Sequence, residues 1–125
     1  MPSIYKDFGF NKAELELIDK PDKRSGYEFI GGEDAGIKRC DEYIIQRKAL
    51  ITYKDTRNGL MGVDYSSKLS PWLANGSLSI RHVYHLTRKF EKEVKKNDST
   101  AHYVNELFWR DFCHFFCARH GNKVF

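Results

Sequence analysis

Three observations predict an all-α chain. Apolar residues recur at helical spacing in Ile37, Cys40, Ile44 and Ile51, and again in Ile80, Val83, Thr87, Phe90 and Val94. Helix punctuation falls between these stripes: Ser70 before Pro71, then Ser79 and Ser99 as starts, with Gly76 and Gly121 as stops. No stretch of useful length alternates apolar and polar residues as a half-buried strand does.

Taken in order, residues 1–32 read as a connector or surface-hugging arm, because Pro2, Pro21, Gly26, Gly31 and Gly32 interrupt every short periodic run. Its apolar residues Ile4, Phe8, Phe10, Leu15, Leu17, Tyr27 and Phe29 are expected to order only on a surface beneath them. Glu33 and Asp34 form a carboxylate-rich first turn, from which the first helix is expected to run to about Tyr53. Asn58, Gly59 and Gly62 mark a loop. Ser70 reads as the N-cap of a short helix with Pro71 as its first residue, closed by Gly76. The helix opened by Ser79 buries the stripe from Ile80 to Val94 and turns Lys89, Lys92, Lys95 and Lys96 to water. Ser99 starts the last helix, which ends at Gly121 after the favourable cations Arg119 and His120.

Hydrophobic residues are 41% and aromatics 14% of the 125 residues, enough for the packed core of one domain or part of one. The net charge of +4, from 21 basic and 17 acidic residues, does not by itself name a polyanionic partner. No apolar run approaches the roughly 18 residues of a membrane span, and no secretory pattern opens the chain, so an intracellular setting is expected. Cys40, Cys113 and Cys117 are odd in number and predict reduced thiols. Cys113, His114, Cys117 and His120 do not make a zinc framework, since adjacent residues of a helix diverge and no second cysteine pair is present. His82 and His85 accompany no nucleophile and read as exposed helix residues.

Two stretches carry chemistry. Ser66, Ser67, Lys68, Leu69 and Ser70 place hydroxyls and backbone N–H groups just before a helix, a geometry suited to phosphate; ordinary capping by Ser70 accounts for the same residues. Glu106, Trp109 and Arg110 lie within about one turn of an otherwise aromatic helix that includes Val104, Phe108, Phe112, Phe115 and Phe116. That grouping suits a stacking and hydrogen-bonding platform, and a surface ion pair between Glu106 and Arg110 is the plainer reading.

Several further segments extend these motifs: Gly31-Gly32-Glu33, residues 53–59, 64–73, 76–79, 97–100, 105–112 and 121–125. In their order and spacing they resemble the FAD-binding domain of the photolyase and cryptochrome family, and within it the cryptochrome DASH branch. The resemblance runs from Gly31 to Phe125 and makes residues 33–125 the first part of that domain. It implies a flavoprotein. Tyr53 stands at a flavin-contacting position, residues 66–70 at the loop around the FAD diphosphate, with Lys68 where many relatives have arginine, and Arg110 on the flavin side. Glu106 and Trp109 stand where repairing members meet a flipped-out pyrimidine dimer, and Arg57 where they meet the DNA backbone. No catalytic residue follows for this chain.

Such members split cyclobutane pyrimidine dimers, here with single-stranded DNA as the expected substrate, by light-driven electron transfer from reduced FAD and return of the electron. The alternative implied by the same family is a non-catalytic cryptochrome-like photoreceptor fragment, or an inactive remnant of a truncated gene. Ile80 replaces a usual proline and Ser77 a common cysteine. Full members also carry an antenna-binding α/β domain before this region and a second half of the flavin domain after it. The chain alone is therefore expected to bind FAD in the millimolar range or not measurably, about 4 kcal/mol or less, and to self-associate.

Overall fold

The computed structural model describes Gly9, Asn11 and residues 24–60 and 62–124. Among the described residues the α-helices are α1 (Glu33–Asp41), α2 (Tyr53–Thr56), α3 (Ser70–Ala74), α4 (Ile80–Glu93) and α5 (Asp98–His120), and there is no strand. The chain is all-α, as its periodicity predicts. A π-helical turn at Glu42–Gln46 and 3-10 turns at Ala49–Thr52 and Gly121–Val124 complete the order.

The first helix does not run unbroken to Tyr53. After α1 the backbone widens, with Arg47 N–H bonded to Glu42 O at 2.9 Å, and Lys48 then takes the left-handed conformation at φ 53. A straight helix of that length would extend about 30 Å and carry Tyr53 past the core. The break turns Leu50 and Tyr53 into the same cluster as Cys40, Tyr43 and Ile44.

Helix α4 buries Val83, Thr87 and Phe90, while Val94 falls at the helix end and is exposed. Lys89, Lys92, Lys95 and Lys96 are exposed, as are His82 and His85. The start of α5 is set by Asn97 rather than Ser99. Asn97 Oδ1 accepts from Thr100 N–H at 3.0 Å and Thr100 Oγ1 accepts from Asn97 N–H at 3.1 Å, a reciprocal cap. Asn97 Nδ2 also donates to Ile51 O, tying the cap to the preceding turn. Ser99 is buried instead, accepting from Lys54 N–H. Ser70 is likewise inside its helix: Leu69 holds the cap position and no side-chain cap bond forms.

Of the arm, residues 24–32 are described, and Tyr27 and Phe29 pack on Trp72 with ring centroids 6.2 and 5.5 Å away. Trp72 Nε1 donates to Ile30 O at 3.0 Å. The close fit depends on Gly36, where an added Cβ would meet the Trp72 ring at 3.0 Å. Ile4, Phe8, Phe10, Leu15 and Leu17 lie outside the described residues.

All three cysteines are free thiols. Burial, with the Asp41 charge adding to it, pushes the Cys40 thiol up to about 12, so it stays protonated and unreactive. No helix among the described residues is long and apolar enough to cross a membrane, and no group of three metal-ligating side chains converges among them.

Candidate functional site

Helical geometry sorts the side chains of α5. At about 100° per residue, Tyr103, Glu106, Leu107, Arg110 and His114 fall on one face, whereas Asn105, Phe108, Trp109, Phe112 and Phe116 fall opposite. The first face closes a concavity of about 390 Å³ with Tyr53, Ser67, Leu69, Ser70, Leu73 and Ala74. Six residues singled out from the sequence thus line one space: Tyr53, Ser67, Leu69, Ser70, Glu106 and Arg110.

The loop contributes its shape more than its hydroxyls. Lys68 has φ 60, and Leu69 follows at φ −82, ψ −9. Alternation between left- and right-handed residues gathers successive N–H groups on one side of the chain, the arrangement of an anion-binding nest. At five residues, α3 is too short for its dipole to add much, so the expected helix-dipole contribution is minor. Ser66 and Lys68 are partly buried in the same loop but do not line the concavity.

Arg110 is fixed across the space. Its guanidinium donates to Leu73 O and to Asp111 Oδ1, each at 3.1 Å, leaving it partly exposed at the edge of α3. Glu106 pairs with Arg57, which therefore stands beside the concavity rather than in it. His102 Nε2 lies 3.2 Å from Glu106 Oε1, outside hydrogen-bonding geometry. Burial first, then the Glu106 charge, raises the Tyr53 phenol, with Arg57 opposing; the phenol is neutral at ordinary pH. Burial likewise raises the Tyr103 phenol that floors the site.

Trp109 does not join this space. It is 61% exposed and lines a separate groove of about 290 Å³ with Asn105, Phe108 and Phe112. Its ring meets Phe112 edge-on at 5.5 Å.

Sequence reasoning missed Arg39, the residue that holds the loop. Its side chain is fully buried and bonds to the carbonyls of Ser67 and Val63 and to Asp64, whose other oxygen takes Arg47 at 2.7 Å. A signal was present: Gly36, Arg39, Cys40 and Tyr43 share one helical face, and a lone cation on a buried face requires partners. Tyr103 was missed because the aromatic stripe of α5 drew attention to Phe108 and its neighbours. Thr100, Tyr103, Val104 and Leu107, at i, i+3, i+4 and i+7, are, with Ser99, the residues that the core covers.

No family model matches the chain. It is 49% identical over 104 residues to the cryptochrome DASH of Synechocystis, covering 83% of this chain and 21% of that protein. To the chloroplastic/mitochondrial cryptochrome DASH of Solanum lycopersicum it is 46% identical over 125 residues, covering 99% of this chain and 22% of the relative. The crystal structure of a Synechocystis cryptochrome superposes with a TM-score of 0.81 at 48% identity, over 82% of this chain and 21% of that one. The chain spans about a fifth of the length of the relatives it matches. Over that span, on sequence and on fold, it belongs to the cryptochrome DASH branch of the photolyase and cryptochrome family.

Proposed function

We propose that residues 33–125 form the first part of a DASH-type FAD-binding domain, with residues 1–32 as its connector, and that the concavity beside α5 is one wall of the flavin site. The observation that carries this is the convergence of Tyr53, Ser67, Leu69, Ser70 and Arg110 on one space. The donor set fits a diphosphate: backbone N–H groups gathered at Lys68, hydroxyls at Ser67 and Ser70, and a guanidinium across from them. At about 390 Å³ and open on one side, the wall accommodates part of a dinucleotide.

In the whole protein, FAD held by these residues in its reduced form would supply light-driven electron-transfer chemistry for dimer splitting. The residues of this chain bind and orient. Within the loop of residues 66–70, Ser67, Leu69 and Ser70 face the phosphates with Arg110, Ser66 and Lys68 shape the loop, and Tyr53 closes the wall. Glu106, held by Arg57, presents a carboxylate to a flipped base, while Trp109 and Arg57 meet the damaged strand from the flank. Flipping is required because a stacked dimer cannot approach a buried cofactor.

The test is made in a full-length DASH protein carrying this segment. Arg110→Ala and Ser67→Pro are expected to lower flavin absorbance retained after desalting, with Lys89→Ala as the solvent-facing control. Glu106→Ala and Trp109→Ala are expected to keep FAD and lose repair of a dimer-containing single-stranded oligonucleotide, a stacked base being worth roughly 1–3 kcal/mol. Repair at the parental rate in both variants refutes the substrate assignment. FAD retention unchanged by Arg110→Ala and Ser67→Pro refutes the cofactor assignment. Light-dependent partner binding without repair favours the photoreceptor alternative.

A further inference from the structure

We propose that Arg39 is the positioning residue of the loop at 63–68: its buried guanidinium sets the direction in which the Ser67 and Lys68 N–H groups point, without itself lining the ligand space. The inference rests on the reading of that loop as a phosphate seat, and it adds what makes the seat.

Arg39 rises from α1 to the loop and does not line the concavity. Its Nε donates to Ser67 O at 2.9 Å, and one terminal nitrogen donates to Val63 O at 2.8 Å and more weakly to Ser66 O at 3.4 Å. Asp64 Oδ1 accepts from both terminal nitrogens, at 3.3 and 3.4 Å. The Tyr27 and Tyr43 rings flank the guanidinium at 4.9 and 5.4 Å. A planar fork clamped in this way has little freedom to turn, so it acts as a template for the carbonyls it holds.

Peptide geometry converts this template into donor direction. In a trans peptide the C=O of one residue and the N–H of the next point opposite ways, and none of the described peptides is cis. With Ser66 O and Ser67 O drawn inward to Arg39, the N–H groups of Ser67 and Lys68 are turned outward. Ser67 lines the concavity and Arg39 does not, so outward is the ligand side. The same constraint accounts for the positive φ of Lys68, a non-glycine residue held where its backbone would not settle unaided. Lysine at position 39 keeps the charge but has no fork with which to hold several carbonyls at once.

The experiment uses the chain itself, labelled for NMR, with inorganic pyrophosphate as the probe. In the parent, pyrophosphate is expected to move the Ser67 and Lys68 amide resonances. Arg39→Lys is expected to shift the Lys68 one-bond Cα–Hα coupling out of its positive-φ range and weaken pyrophosphate binding about tenfold or more, while the Val83 and Leu107 methyl resonances stay in place. Arg47→Ala, which removes only the exposed partner of Asp64, is expected to bind within about twofold of the parent. A folded Arg39→Lys chain that keeps the Lys68 coupling overturns the proposal. Should that variant fail to fold, the unmodified chain decides: the Arg39 Nε proton is expected to exchange at least about tenfold more slowly than that of Arg47, and equal rates overturn the proposal. A parent whose Ser67 and Lys68 resonances ignore pyrophosphate refutes the phosphate reading, whereas the Lys68 coupling and the Arg39 exchange rate still judge the positioning role.

Discussion

The two faces of α5 have opposite surroundings: the more polar one is covered by other elements, and the more aromatic one is open. On one, Tyr103 and Leu107 are buried against Tyr53 and the loop before α3, and Glu106 and Arg110 are each held by a partner on another element. On the other, Phe108, Trp109, Phe112, Phe115 and Phe116 are 44% to 75% exposed; Phe112 meets Trp109 and Phe116, and Phe108 reaches, among the described aromatic rings, only Tyr84 of α4. The difference separates two roles that a hydrophobicity profile merges. An aromatic stripe says that a surface is suited to being covered, not which element covers it. The polar residues are the better guide here, because Glu106 and Arg110 mark the face where the rest of the described chain supplies counter-groups.

The sharpest way to break this comparison is to truncate one aromatic residue on each side. Tyr103→Ala is expected to cost about 3–5 kcal/mol in urea denaturation, the range for removing a buried aromatic ring. Phe115→Ala is expected to stay within about 0.5 kcal/mol. Comparable losses would show that the aromatic face already belongs to the core.

Next is the behaviour of the aromatic face in solution. The chain is expected to self-associate and to bind a hydrophobic dye while giving a helical circular dichroism spectrum. Phe112→Lys together with Phe116→Lys should remove most of the dye signal and shift sedimentation towards the monomer. A dye-silent monomer with a sharp unfolding transition in the unmodified chain contradicts the contrast between the faces.

A smaller effect is expected at the start of the helix, which both faces share. Asn97→Ala removes the reciprocal cap and the bond to Ile51 O, and should cost about 1–2 kcal/mol. Ser99→Ala removes the hydroxyl that the sequence predicts as the cap, and its loss should be traced to the Lys54 N–H bond instead. Equal protection of the first-turn amides in Asn97→Ala and the parent would sink the capping assignment.

The smallest effect is confined to acid. Burial alone would raise the Glu91 carboxyl, but hydrogen bonds from Arg88 and Thr100, with the charges of Arg88 and Lys96, hold it below its usual 4.5. Its folded value therefore lies under its unfolded one. The stabilisation is complete above pH 4.5 and is lost as pH falls through the folded value. Between pH 6 and pH 3, Glu91→Gln should lose less stability than the parent, by under about 1 kcal/mol. Parallel losses in the two proteins would assign the acid limb to other carboxylates.

Much was legible in the residues themselves. The period of apolar positions determined that the chain is helical, because only one face of each helix can be buried and 3.6 residues per turn forces the spacing. Gly76 and Gly121, with positive φ, end their helices where the sequence placed them, and the lysines of α4 face water. The order and spacing of the segments from Gly31 to Phe125, those at 64–73 and 105–112 among them, identified the branch of the family.

Tertiary structure decided the rest. The break after Asp41 follows from the need to bring Tyr43, Leu50 and Tyr53 into one small core, and no local pattern announces it. Side-chain competition moved the cap of α5 from Ser99 to Asn97, because a hydroxyl that bonds Lys54 N–H is not available to its own helix, whereas α3 begins one residue early, with Leu69 at its cap position and Ser70 inside. The separation of Trp109 from Glu106, three residues apart, depended on which side of α5 the loop from 67 to 74 came to rest. Spacing along a helix determines which residues share a face, but only the elements packed against it determine which face becomes a site.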